Sequence, residues 1–322
     1  MYEKFFGFTE APFNQTPDPQ FFFSSPTHED AFSQVLYGIT HRKGFIVILG
    51  EVGTGKTTLC RHLLESIDPG VQTALILNPG LTTLDLLMSV NEEFGIKCRR
   101  TSKKKLVDEL HRFLLDTLGV GGNALLMIDE AQNLSVKCLE EIRLLSNLET
   151  TKQKLLQIVL LGQPELGDML RRNELRQLAQ RVSLRARLLP LDPAETAQYI
   201  SSRIRAAGGE GKVRFTALAV DRVHALSGGI PRLINTLCDK ALLAGFITDT
   251  TVIDEALVEE AGWEIGRGTR PARATIDELD QWERWFSLTA HWPALALWLE
   301  SRWGMVKQLV KEKLDRLRPS RG

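Results

Sequence analysis

Gly50-Glu51-Val52-Gly53-Thr54-Gly55-Lys56-Thr57 is the stretch that decides how the rest of the chain is read. It satisfies the phosphate-loop pattern G-x-x-x-x-G-K-[ST] at every fixed position. Just before it, Phe45-Ile46-Val47-Ile48-Leu49 is a short apolar, β-branched run with the composition of a buried strand. Just after it, Leu59, Leu63, Leu64 and Ile67 recur at helical spacing between Thr58 and Ile67. Strand, glycine loop and helix in this order make a phosphate cradle. The glycines let successive N–H groups turn inward, and the helix N-terminus adds the positive end of its dipole. Gly50, Glu51, Val52, Gly53, Thr54, Gly55, Lys56, Thr57 and Thr58 are therefore the expected ATP-binding segment. Lys56 is expected to reach the β- and γ-phosphates, and the Thr57 hydroxyl to ligate Mg²⁺.

The surroundings suit an ordinary globular chain. It has 322 residues, 43% of them hydrophobic and 25% charged, enough for two or three domains with sizeable cores. Forty Lys+Arg balance forty Asp+Glu, so net charge makes no global case for nucleic acid. Cys60, Cys98, Cys138 and Cys238 are scattered singly, without C-x-x-C or zinc spacing, which points to a reduced, cytoplasmic setting. The N-terminus lacks the basic and apolar regions of a signal peptide, and no run of about 18 apolar residues occurs.

Working outward, residues 1–43 read as an aromatic, proline-rich arm lying against the core, then a helix over His28–Arg42. Residues 44–190 alternate strands and helices. The strands are expected at 45–49, 73–77, 124–128, 156–161 and 182–188, the second of them buried, and the helices between them. That rhythm implies a parallel α/β sheet. Residues 191–265 show no further strand and four helices, over 194–207, 216–226, 231–246 and 252–265, which reads as a small all-helical lid. Residues 266–322 form a linker and a tail that holds five of the six tryptophans. The last 22 residues carry an excess of five positive charges and an apolar stripe, expected to be helical.

Asp129-Glu130 closes the third strand. The C-terminal edge of a parallel sheet faces the ligand crevice, where Asp129 can hold the Mg²⁺ shell and Glu130 can activate a water. Gln163 closes the fourth strand, either as a turn residue before Pro164 or as a polar group reaching the γ-phosphate or that water. Arg176, Arg181, Arg185 and Arg187 cluster before the lid, and such a cluster can supply an arginine to a neighbouring subunit's phosphate. Gly228-Gly229-Ile230-Pro231-Arg232 sets Arg232 at the first turn of a lid helix, aimed at phosphate.

The whole pattern resembles the AAA+ superfamily of ATPases, and within it the ExeA family, that is, general secretion pathway protein A and its relatives. The likeness runs over about residues 1–265. It is carried by Tyr2-x-x-Phe5-Phe6-Gly7 with Pro12-Phe13, Thr16-Pro17-Asp18-Pro19, Tyr37-Gly38-Ile39 and the loop through Thr58. Ile128-Asp129-Glu130-Ala131-Gln132, Leu161-Gly162-Gln163-Pro164-Glu165-Leu166 and Gly228-Gly229-Ile230-Pro231-Arg232-Leu233-Ile234-Asn235 complete it. The resemblance implies a P-loop AAA+ fold, with Gln163 as sensor 1, Arg232 as sensor 2 and Asn78 as the residue restraining Glu130. Arg181 becomes the arginine finger, with Arg185 and Arg187 close by as alternatives. It also implies a homo-oligomer, a ring with ATP at each subunit junction. Longer members continue into a transmembrane helix and a periplasmic peptidoglycan-binding domain, and this sequence shows neither.

Two functions follow as expectations. The first is a cytoplasmic ATPase serving an envelope process, such as secretion, pilus or polysaccharide assembly. Its Trp-rich tail would dock on a membrane surface or membrane protein, or fold back on its own core. The second is a DNA-dependent regulator like the AAA+ proteins that select transposition targets, for which Lys103-Lys104-Lys105 could be a basic patch; the neutral net charge makes nucleic acid the less favoured partner.

Overall fold

A computed structural model describes residues 2–16, 19–77, 80, 82–97, 102–151 and 153–266. Asn78, Cys98 and the tryptophan-rich tail lie outside the described residues. In chain order the helices and strands are α1 (Tyr2–Phe5), α2 (Pro26–Thr40), β1 (Phe45–Gly50), α3 (Lys56–Ser66), β2 (Val71–Ile76), α4 (Thr83–Glu93) and α5 (Lys103–Gly119). There follow β3 (Asn123–Ile128), α6 (Val136–Leu145), β4 (Gln157–Gly162), α7 (Pro164–Leu170), α8 (Arg176–Ala179) and β5 (Val182–Leu188). The remainder is α9 (Pro193–Ala206), β6 (Arg214–Phe215), α10 (Ala217–Ser227), α11 (Pro231–Ile247), β7 (Val252–Ile253) and α12 (Glu255–Glu264).

Five strands form one parallel sheet in the order β2-β3-β4-β1-β5. Strand alternation splits β1 between two cores. Phe45, Val47 and Leu49 join residues of α4, α5 and α6 on one face, while Ile46 and Ile48 meet α2 and α3 on the other. Every residue of β1 is buried, so its apolar run is what a central strand covered on both faces requires. β2 differs from the expectation. It is the sheet's edge, and Gln72 and Thr73 are exposed, as is Leu77 just beyond it. Side-chain caps fix several helix starts: Thr82, Ser102, Ser135 and Thr216 each accept a bond from the backbone N–H three residues on. Asp192 and Glu195 form a reciprocal capping box at α9.

The lid packs α9–α12 together and adds a feature the sequence did not announce, a two-residue parallel pair of β6 with β7. That pair takes Val252 and Ile253 from the start of the expected last helix. The arm is part of the lid's core. Tyr2, Phe6, Phe8, Phe13 and Phe21 are buried with Leu191, Tyr199, Ile204, Leu237 and Val258. Arg203, itself buried, holds the arm from the lid side, its Nε donating to Pro12 O at 2.6 Å and its Nη2 to Asn14 O at 2.8 Å. α2, which follows the arm, leaves the lid and lies against the sheet, where Gly38 gives room for Ile46.

Candidate nucleotide site

Parallel strands put their C-terminal ends along one edge, and the order β3-β4-β1 makes three of those ends neighbours. β1 leads into the loop, β3 into Asp129 and Glu130, and β4 into Gln163. Gly53 and Gly55 hold left-handed φ angles of 84° and 96°, the conformations that let the loop curl into a cradle.

Several expected side chains meet there. Thr57 Oγ1, in the first turn of α3, donates to Asp129 Oδ2 at 2.6 Å. Asp129 is buried, and its other oxygen accepts from the Glu130 N–H at 2.8 Å. Gln163 Nε2 donates to Glu130 Oε2 at 3.1 Å. Lys56 is buried with its Nζ on the carbonyls of Gly50 and Glu51, at 2.9 and 3.0 Å. Burial lowers the affinity of that amine for its proton, against the opposing pull of Glu130, Asp129 and Glu51. Glu130 shows the reverse balance. Burial alone would raise its pKa, but hydrogen bonds from Gln132 and Gln163, with the charges of Lys56 and Arg232, hold it below the usual range.

Glu130 also has φ 51°, one of few non-glycine residues in the left-handed region among those described. Such strain costs about 1–3 kcal/mol and gathers at functional sites. Arg232 comes from the lid: its backbone N–H donates to Gly53 O at 3.2 Å, and its charge reaches both Lys56 and Glu130. In the turn ahead of it a side chain at Gly229 would not fit, since a Cβ there would lie 2.0 Å from Leu191 O.

Arg181 stands apart from this cluster, its Nη1 donating to Ser146 Oγ at 3.2 Å. Arg185 and Arg187 take exposed positions on β5. Two further residues belong to the site and went unassigned in the sequence. His28, in the first turn of α2, is buried under the loop, with Nε2 2.9 Å from Thr54 O and Nδ1 2.7 Å from Ser25 Oγ. A carbonyl only accepts, so Nε2 carries the proton and Nδ1 accepts from the serine. Gln132 touches both Glu130 and Gln163.

The residues suit magnesium. A hydroxyl and a carboxylate converge as hard oxygen donors, which is how Mg²⁺ is held when phosphates and water complete its shell. No cluster of three or more His, Cys, Asp or Glu that could cage a metal occurs among the described residues. None of the described helices is long and apolar enough to cross a membrane.

Comparison with known proteins agrees with this geometry. Residues 39–170 match a family described as AAA domain. General secretion pathway protein A of Aeromonas hydrophila is 44% identical over 266 residues, covering 82% of this chain and 48% of that protein. The chain thus spans about half the length of that relative. Among solved structures, the Aeropyrum pernix ORC2 protein in ADPNP-ADP complexes superposes with a TM-score of 0.60 at 16% identity, covering 84% of this chain and 74% of that one. Cdc6p from Pyrobaculum aerophilum gives 0.61 at 17%, over 79% and 70%. At such identities these two speak for the fold alone. Motifs, sheet order and sequence identity together give the chain an AAA+ P-loop fold and make it similar to general secretion pathway protein A over about half of that protein's length.

Proposed function

We propose that the chain binds Mg-ATP on the Gly50–Thr58 loop and hydrolyses it within an oligomer, driving or switching an envelope process such as secretion. The observation that carries this reading is the convergence of Thr57, Asp129, Glu130 and Gln163 at three neighbouring strand ends. In the proposal the loop amides and Lys56 hold the phosphates, and Lys56 must leave the Gly50 and Glu51 carbonyls to do so. Thr57 and Asp129 would hold Mg²⁺, which offsets charge on the phosphate oxygens. Glu130, kept ionised by its donors, accepts the proton of the attacking water. Gln163 steadies that carboxylate, and Arg232 brings positive charge from the lid. Arg181 serves as the finger acting on the neighbouring subunit's phosphate. The secretion role rests on the name of the Aeromonas hydrophila relative, and the basic, Trp-rich tail is proposed to dock at a membrane surface.

Phosphate release from ATP by the full chain, with and without Mg²⁺, tests the reading. Glu130→Gln should retain ATP and stall, and Arg181→Ala should bind ATP yet hydrolyse poorly. Mixing these two variants should restore part of the activity. Absence of metal-dependent release in the wild-type chain overturns the hydrolase, and absence of rescue overturns a finger acting across the junction.

A further inference from the structure

Glu130 sits at the bend where β3 ends, and its left-handed backbone turns the chain into the single 3-10 turn Ala131–Asn133. That turn folds back over the strand ends and brings Gln132 between Glu130 and β4. Gln132 Nε2 lies 2.5 Å from Glu130 Oε2, and Gln132 Oε1 lies 3.0 Å from the Gln163 backbone nitrogen.

The orientation of this amide is decided by its partners. The Gln163 N–H can only donate, so the oxygen of Gln132 must face it, and the NH₂ group is thereby directed at the carboxylate. Space for the oxygen is made by a missing side chain: a Cβ on Gly162 would lie 3.1 Å from Gln132 Oε1. The two donors, from Gln132 and Gln163, meet on the same oxygen of Glu130. Among the described residues, its other oxygen accepts no hydrogen bond.

We propose that Gln132 is a positioning residue for the hydrolytic reaction, a two-ended amide that locks the Glu130 carboxylate to the end of β4. This rests on the hydrolase reading above. Gln132 itself touches neither substrate nor water; it acts by fixing which oxygen of Glu130 faces the reaction. Because the same amide is anchored on the Gln163 backbone, any shift of the β4 end moves Glu130 with it.

Steady-state and single-turnover hydrolysis by the full chain test this, with Gln132→Leu as the variant. Expected is a fall in kcat of about tenfold or more, the scale on which misplaced catalytic groups lose rate, with KM and ATP affinity within about twofold of wild type. In a Glu130→Gln background the same change should do nothing further, since the group it positions is already disabled. A thermal melt reports whether Gln132→Leu folds. If it does not, Gln132→Glu carries the test, because it keeps the size and replaces the donor with an acceptor facing Glu130; the same loss is expected. Wild-type kcat in a folded variant overturns the proposal. So does an equal drop in the Glu130→Gln background, which would mean a merely structural role. A wild-type chain without metal-dependent hydrolysis fails differently: it overturns the hydrolase reading, and this inference with it.

Discussion

The backbone N–H of Arg232 donates to the carbonyl of Gly53, so the lid's longest described helix begins on the phosphate loop itself. The approach is close enough that a Cβ on Gly53 would lie 2.6 Å from the Cβ of Arg232, at a φ of 84° that side chains rarely adopt. Lid and loop are therefore joined through main chain as well as charge. Gly53→Ala should cost about 1–3 kcal/mol in chemical denaturation and weaken ATP binding. Unchanged midpoint and affinity would show that lid and loop are not in contact in solution.

Lys56→Ala separates binding from folding. Burial lowers the proton affinity of its amine, which donates to the Gly50 and Glu51 carbonyls. Titration with ATP should show affinity down by about tenfold to a hundredfold, the worth of charge-assisted bonds, while the thermal midpoint stays within a few degrees. A large fall in the midpoint would make the lysine a structural group.

His28 gives the protein a pH signature. Burial holds its ring below the ordinary value of 6.5, outweighing the opposing effects of the Thr54 carbonyl and the Glu195 charge. Below about pH 6.5 the unfolded chain takes up a proton that the folded chain resists. Stability from this group is therefore complete above that pH and lost as pH falls toward the folded-state value. Urea unfolding between pH 7.5 and 5.5 should show wild type losing up to about 1.4 kcal/mol per pH unit relative to His28→Asn. Parallel curves would contradict the burial.

Arg203 fastens the arm to the lid. Besides its bonds to Pro12 and Asn14, its guanidinium carbon lies 4.6 Å from the Phe21 ring centroid. Arg203→Met should cost about 2–3 kcal/mol by leaving both carbonyls without their charged donor. The first twenty residues should then be cut sooner in limited proteolysis. Wild-type cleavage kinetics would mean that the aromatic contacts alone hold the arm.

Much of the fold was legible because local chemistry and tertiary role coincide. An all-apolar strand, two loop glycines and Lys56-Thr57 mean the same thing alone and in the sheet. Acidic residues after an apolar run likewise located Asp129 and Glu130. The rest depended on what the chain meets far away. Residues 73–77 read as a buried strand, and the strand order makes β2 an edge. β6 and β7 are two residues each, too short for any periodicity. Gln132 looks like one more polar residue near a turn until Glu130 adopts its left-handed bend and folds it back. His28 reads as a helix start, and its bond to Thr54 spans 26 positions of sequence. The arm's phenylalanines declared a need for cover, and the cover is the lid, built from the opposite end of the described chain.

That last pairing sets an order of events during synthesis. Phe6, Phe8, Phe13 and Phe21 leave the ribosome first, whereas the cavity that receives them is finished only once Val258 and Ala261 have followed. At about 5–20 residues per second, the aromatic cluster goes without its cover for on the order of ten seconds or longer. The phosphate-loop sheet can form in that interval; the lid must wait. A nascent chain halted before residue 258 would therefore leave those rings uncovered, a surface that holdase chaperones bind.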